Sequence, residues 1–185
     1  MSSGANSPVA TIRSTSTTQI LPAVAAAEGG VGDLAQYVGT DGKVLTRHGA
    51  PGLAFSASRD QRFNPLTLVS GSWPEGADEV AVDGTAARRL GAGIGDAVRI
   101  LPRGRQVQRF RVSGIIRFGS STLGGATLAV FDLPTAQRLF DKQGKLDQID
   151  VTVRRGYSVT TLQAAWAAIS GRGRESVRMT VPDRL

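Results

Sequence analysis

Hydrophobic and polar positions are most regularly ordered in the middle of the chain, between Leu68 and Ile100. The order predicts a strand, a polar turn, a second strand, a short helix, a glycine-rich turn and a third strand. Asp83 is placed to cap a helix over 84–90, because its carboxylate can accept the free amides of the first turn. Gly91 follows that helix, where glycine adopts the left-handed conformation without strain.

Downstream of this stretch the pattern predicts two strands and a second helix. Val107–Phe118 alternates with a change of phase near Gly114, which indicates a long, bulged strand. Ala126–Phe131 has the composition of a buried strand. Asp132 then caps a helix over Leu133–Phe140, which carries a proline early, where the missing amide costs nothing.

The two ends of the chain share a strand–helix–strand pattern, over residues 9–38 and 149–181. Within the first, 23–38 is predicted as one long strand kinked at its glycines, and the Asp-Gly turn at 40–43 predicts a hairpin. Two such units can form one four-stranded sheet with two helices on one face. The predicted fold class is therefore α+β, with a split ferredoxin-like lobe formed by both chain ends and an inserted β-rich lobe.

The predicted domain boundaries follow from this division. Residues 1–7 are interpreted as an expression remnant and linker, 8–46 and 146–182 as the end lobe, and 47–145 as the inserted lobe. No apolar run approaches the ~18–20 residues that a membrane span needs. Taken alone, this feature predicts a soluble, cytosolic protein.

Composition leaves two explanations for the strong positive charge. The net charge is +7, and only three of the 22 basic residues are lysine. Such a balance favours anionic partners such as nucleic acid, lipid head groups or wall polymers. An arginine-rich, alanine- and glycine-rich chain is equally typical of a GC-rich genome, with no binding function attached. The absence of cysteine excludes disulfides, cysteine–zinc sites and thiol catalysis.

The motifs that could carry chemistry each have a structural explanation. Gly91–Gly95 follows a helix and precedes a strand, which is the reverse of a dinucleotide-binding loop, and no phosphate-binding P-loop motif occurs. His48 is the only histidine and has no nucleophile motif beside it. Glu75, Asp78 and Glu79 could pair as acid and base or bind calcium, but their spacing favours a solvated turn.

Basic and aromatic positions supply the remaining candidates. One run of arginines follows a predicted hairpin and another lies near the chain end: Arg103, Arg105, Arg109 and Arg111, then Arg172, Arg174 and Arg178. Nucleic-acid binding would require stacking aromatics among them, and Phe110 is phased with the core. Trp166 has helical core spacing. Trp73, Phe118 and Leu123 are the candidates for contact with a partner.

Three segments carry a resemblance to a known family: SGSWPEGADEVAVDGTAARRLGAGIGDAVRI, then FRVSGIIRFG, then GATLAVFDLPTAQRLF. Together they resemble the extracytoplasmic domain, or MacB-like periplasmic core, of FtsX/MacB-type ABC transporter permeases, with the actinobacterial ones most similar. The resemblance covers 68–153 well and consists of turns, caps and core positions. It implies a porter-like lobe, a β-rich lobe, and a location at the extracytoplasmic face of the cell membrane.

The resemblance also implies partners and a mode of action. The domain would be tethered to transmembrane segments of its own parent chain, and a separate cytoplasmic subunit would bind the ATP. Further partners would be a second permease copy and a lipid, a peptide or a wall hydrolase, among which the sequence does not choose.

The first hypothesis is therefore a non-enzymatic domain, without a cofactor of its own, that couples ATP-driven membrane motion to export or to an extracytoplasmic partner. It would transmit force through two lobes and hinges near 48–65 and 141–147. The alternative is a basic cytosolic nucleic-acid-binding module. An enzyme with a β-barrel-like core ranks last, because no nucleophile–base pair is evident.

Overall fold

A computed structural model describes residues 23–45, 50–119, 126–158, 160 and 176–180. Ten strands and two helices lie in these ranges: β1 (Val24–Gly30), β2 (Gly32–Val38), β3 (Gly52–Ser56), β4 (Leu66–Gly71), β5 (Glu79–Asp83), α1 (Gly84–Leu90), β6 (Ala97–Pro102), β7 (Gln108–Phe118), β8 (Thr127–Phe131), α2 (Leu133–Phe140), β9 (Gln148–Val153) and β10 (Ser176–Thr180). The protein is thus α+β and rich in sheet.

The chain divides into two compact units, one inserted in the other. The first unit comprises Met1–Gly29 and Ile149–Leu185, and the second comprises Gly30–Gln148. The second unit therefore begins earlier than the inserted lobe expected from the sequence, which was placed at 47–145. The difference arises at β2, which was assigned to the end lobe and lies in the sheet of the second unit.

The prediction of one kinked strand over 23–38 is wrong. Two strands occupy this range, and they belong to different sheets. They are separated at Val31, whose N–H donates to Ser56 Oγ at 3.0 Å and whose carbonyl accepts from the Ser56 N–H at 2.9 Å. These bonds join the chain to β3 at the point where it leaves the first sheet.

The described part of the first unit is built on a three-stranded sheet in the order β1-β9-β10. Three of the four strands predicted for the end lobe are thus present in one sheet. The predicted strand over 9–14 and both predicted helices of this lobe, the second containing Trp166, lie outside the described residues. The split ferredoxin-like arrangement stays a prediction.

The second unit contains a seven-stranded sheet in the order β4-β7-β5-β8-β3-β2-β6. Because β6 also pairs with β7, six of the strands close on themselves, and β4 remains outside the closure as an edge strand. The long strand β7 makes this possible, because its first half lies beside β6 and its second half lies beside β4.

Two apolar clusters fill the two faces of this sheet. Alternate residues of a strand belong to different clusters. Val80 and Val82 of β5 belong to the cluster that we call the inner cluster, and Ala81 belongs to the outer cluster. The inner cluster also receives α1 and α2, through Ala86, Ala87, Ala136, Leu139 and Phe140. The outer cluster has Leu66, Ala81, Ile116, Leu128 and Val130 at its centre, all at most 4% exposed.

The predicted elements of the middle region are confirmed. Both helices occupy the predicted ranges, with Asp83 and Asp132 as N-caps and Gly91 in the left-handed conformation. The phase change in β7 is a bulge at Ser113, since β5 pairs through Val80 with Val112 and then through Ala81 with Gly114. The hairpin at 40–43 is also present, and it returns through a bridge between Val38 and Val44.

Candidate functional site

Two of the three aromatic and apolar candidates lie on one surface. Trp73 and Phe118 are both partly buried, and both pack against the outer cluster of the second unit. Phe118 is paired with Leu66 across β4 and β7. Leu123 lies outside the described residues. A role of these three residues in partner contact stays a prediction.

The glycine-rich segment is a connection between a helix and a strand. The Gly91 N–H, at a φ of 61°, bonds the carbonyls of Ala87 and Arg88 and closes α1. The Gly95 N–H donates to the Val112 carbonyl at 2.8 Å, which fixes the chain against β7 before β6 begins. These backbone amides are used within the fold, and their arrangement is that of a helix C-cap and turn.

Two of the three carboxylates in the acidic turn pair with arginines. Glu79 accepts from Arg111, and Glu75 lies 3.1 Å from Arg59. Glu79 Oε2 also accepts from the Glu75 N–H at 3.0 Å, which orders the turn. Among the described residues no group of three or more histidine, cysteine or acidic side chains is placed to bind a metal. His48 lies outside those residues.

Two of the four arginines of the basic hairpin between β6 and β7 also pair with carboxylates. Arg105 lies 3.2 Å from Asp141, and Arg111 bonds Glu79. Phe110 is buried in the inner cluster, where its ring meets that of Phe131 edge-on at 4.9 Å. It is therefore unavailable for stacking on a base. Arg172, Arg174 and the side chain of Arg178, which make up the second arginine run, lie outside the described residues.

A buried polar group that the sequence did not reveal lies where β5, α1 and β8 meet. Asp83 Oδ1 accepts from the N–H groups of Thr85 and Ala86, and its Oδ2 accepts from the Leu128 N–H at 2.7 Å. The Tyr37 hydroxyl donates to the Leu128 carbonyl at 2.6 Å. Burial, together with the negative charge of Asp83, raises the pKa of Tyr37 well above its usual value.

A second feature, which we call the clamp, holds the two ends of the second unit together. It consists of Gly30, Gly32, Lys142 and Asp147. Asp147 Oδ2 accepts from the Gly32 N–H at 2.8 Å and from Lys142 Nζ at 2.7 Å. Lys142 Nζ also donates to the Gly32 carbonyl at 2.7 Å, and the Asp147 N–H donates to the Gly30 carbonyl at 2.9 Å. The clamp lies beside both points where the chain crosses between the units.

An open, mainly apolar pocket of about 590 Å³ lies beside the edge strand β4. Ser70 of β4, Ile115 of β7, Ala87 and Arg88 of α1, and Ile94 of the following turn contribute to its wall. Ile94 is 51% exposed, although it is large and apolar.

Comparisons with known proteins give a family from one match and a fold from another. The family model of the MacB-like periplasmic core domain matches residues 3–169. A crystal structure of a domain of a protein described as a permease, from Porphyromonas gingivalis, matches with a TM-score of 0.52 at 14% identity. The match covers 85% of this chain and 68% of that one. No curated protein sequence matches the chain.

The family match indicates on which side of the membrane such domains lie and to which class of protein they belong. Periplasmic core domains of permeases lie on the extracytoplasmic side of a membrane protein, and the family is a class of transporter component rather than of enzyme. In the part of the chain that the structure describes, no helix has both the length and the apolar character needed to span a membrane.

Proposed function

Because the chain belongs to the MacB-like periplasmic core domain family, we propose that it transmits ATP-driven motion of an ABC permease to export or to an extracytoplasmic partner. The ATP is bound by a separate cytoplasmic subunit, and the domain itself performs no bond-making chemistry and holds no cofactor. Its immediate partners are the transmembrane segments of its own parent chain and a second permease copy.

The observation that carries this proposal is the inserted architecture with its clamp. The polypeptide passes between the two units at Gly29–Gly30 and at Gln148–Ile149. Lys142 and Asp147 tie both segments together at their entry into the second unit. A body joined at two clamped points moves as a whole when the first unit moves, as force transmission requires.

The crossing points also refine the expected hinges. The sequence pointed to 48–65 and 141–147 as hinges. Residues 48–65 lie within the second unit, and 141–147 contains the Lys142 and Asp147 side chains of the clamp. We propose instead that the hinges are 29–30 and 148–149, at the ends of β1 and β9, because hinges are commonly element-terminal residues.

Distance measurements in the membrane-embedded parent, with its ATPase, test the proposal. This chain contains no cysteine, so spin labels can be introduced cleanly at two exposed positions, Tyr157 in the first unit and Val107 in the second. ATP binding is expected to shift the distance between the labels. Lys142→Met is expected to broaden the distance distribution, whereas the matched variant Lys145→Met leaves it narrow.

An unchanged distance with and without ATP would contradict the proposal. Hydrolysis of ATP by the purified chain alone would contradict it as well, since the nucleotide chemistry is assigned to another subunit.

A further inference from the structure

The strand β4 exposes an edge of unusual composition. It is the last strand of its sheet, and its sequence, LTLVSG, carries no charge. Natural proteins usually protect an exposed edge with charged side chains, because unpaired N–H and C=O groups bind other strands. Here Val69 is the extra residue of a bulge, between Leu68 and Ser70, and its side chain is 59% exposed. The edge is thus uncharged, and Thr67, Val69, Ser70 and Gly71 are exposed on it.

The pocket described above adjoins the C-terminal end of this edge. Ser70 belongs to both, and Ile94 packs over Gly71 so closely that a Cβ at Gly71 would lie 2.8 Å from Ile94 Cδ1. Peptides that add a strand to a sheet use backbone bonds for affinity and side-chain pockets for specificity. An edge next to an apolar pocket provides both elements at one place.

Two arginines give this site its charge preference. Arg88 lines the pocket, and its guanidinium donates to Thr85 Oγ1 at 3.3 Å. Arg117 is exposed and lies opposite Thr67, two residues beyond Ile115 and so on the same face of β7 as that pocket residue. Neither arginine has a carboxylate partner among the described residues. The carboxylate of Asp96, beside the pocket residue Gly93, accepts from the Gly93 N–H at 2.8 Å.

We propose that β4 accepts an extended, acidic peptide segment of a partner protein as an added strand. One apolar side chain of that segment enters the pocket, and its carboxylates meet Arg88 and Arg117. A second copy of β4 fits poorly, because it carries no acidic residue and would bring the arginines of both copies together. The inference names a partner class for the proposed function and rests on it to that extent.

Selection from a displayed library of random decapeptides on the purified chain tests this inference without ATP or membrane. Enriched peptides are expected to be acidic with a large apolar residue. They are expected to slow amide exchange of Thr67–Gly71. Val69→Pro removes an edge N–H and should weaken binding about tenfold, while Val107→Pro, at another exposed valine, leaves it unchanged.

A charge-matched pair of variants gives an independent measurement if Val69→Pro fails to fold. The double variant Arg88→Gln/Arg117→Gln should bind the peptides about tenfold more weakly. The double variant Arg103→Gln/Arg109→Gln, which removes the same charge elsewhere, should bind them as the wild type does. The inference is overturned if no peptide is enriched or if the enriched peptides are basic. It is also overturned if neither the edge variant nor the charge variant changes peptide binding. Anionic vesicles are tested as competitors. If they displace the peptides and also bind Val69→Pro as well as the wild type, the pocket is assigned to lipid and the inference is overturned.

These outcomes are separable from those of the distance measurements. A chain that binds acidic peptides at β4 but shows no ATP-dependent motion loses the proposed function and keeps the site. A chain that moves with ATP but selects no peptide keeps the function and loses the site.

Discussion

Two strand–aspartate–helix segments of the second unit have the same local design and different surroundings. In one, β5 ends at Asp83 and α1 follows, and in the other, β8 leads through Asp132 into α2. Both aspartates have extended backbone and accept first-turn amides, and both helices end with a residue in the left-handed conformation. Sequence alone predicts both caps equally well.

The two aspartates nevertheless differ in their tertiary bonds. Asp132 is half-buried, and its carboxylate accepts from the Thr135 N–H. Asp83 is buried and accepts a third bond, from the Leu128 N–H of β8, while Tyr37 bonds the carbonyl of the same residue. The same local signal therefore has different roles in the two places. At Asp132 it caps a helix, whereas at Asp83 it also links that helix to two strands and a tyrosine.

Removing each aspartate in turn should give the largest contrast. Asp83→Ala is expected to lower the free energy of unfolding by about 2–4 kcal/mol, because it removes a cap and leaves a buried N–H without an acceptor. Asp132→Ala is expected to cost about 1 kcal/mol, for the cap alone. Urea titration followed by amide exchange in β5 and β8 measures both. If both variants lose the same free energy of unfolding, the Leu128 bond of Asp83 adds nothing to the stability that its cap provides.

Tyr37→Phe isolates the second bond to Leu128. We expect a loss of about 1–2 kcal/mol, because a buried carbonyl loses its donor while the ring volume is kept. The same urea titration applies, with Tyr157→Phe as the control, since Tyr157 is 50% exposed. If both tyrosine variants behave alike, the Leu128 contact has no energetic role.

The pH dependence of that loss follows from the raised pKa of Tyr37. Below about pH 10, the ordinary tyrosine pKa, the hydroxyl is protonated in both folded and unfolded chains and its contribution is complete. Above it, the unfolded chain releases the proton and the folded chain retains it, so stability falls as pH rises. The difference between wild type and Tyr37→Phe should therefore shrink above pH 10. A constant difference up to pH 11 would contradict this.

The ends of the two helices give a smaller contrast. Gly91 and Asp141 both have a φ of 61°, and only glycine adopts that conformation without strain. Gly91→Ala should cost about 1 kcal/mol, which thermal unfolding will report as a lowered midpoint. A midpoint equal to that of wild type would show that α1 can end without its left-handed residue.

Asp141→Gly should have the smallest effect and the opposite sign. Relief of the left-handed strain is expected to stabilise the protein by about 0.5 kcal/mol, and the exposed pair with Arg105 subtracts only a few tenths. Thermal unfolding in parallel with Arg105→Gln separates the two terms. A destabilised Asp141→Gly would mean that the pair with Arg105 is stronger than exposed pairs usually are.

Much of the middle region was predictable because its signals are local. Asp83, Gly91 and Asp132 mark helix ends through bonds to residues within four positions, and such bonds depend little on the rest of the fold. The bulge in β7 was predictable to within one residue, since a shift of alternation is visible in the strand itself. The failure at 23–38 arose because the break at Val31 depends on Ser56, 25 residues away.

The candidate sites divide in the same way. The dismissal of a dinucleotide loop at Gly91–Gly95 depended on the order of neighbouring elements, which the sequence shows directly. The clamp joins residues 110 or more positions apart, as in the bond between Gly32 and Asp147. The pocket beside β4 needs α1, β7 and a turn to meet. No periodicity or spacing encodes such meetings.

By itself, the sequence determined α1 and α2, their caps, most of the described strand positions and the family resemblance, because each depends on short-range bonds and on the alternation of apolar residues. Only the tertiary structure decided which sheet β2 joins, that six strands close through β6 and β7, and that Asp83 reaches Leu128. Strand partners are chosen by burial of complementary faces across long loops, and that free energy is a property of the whole fold.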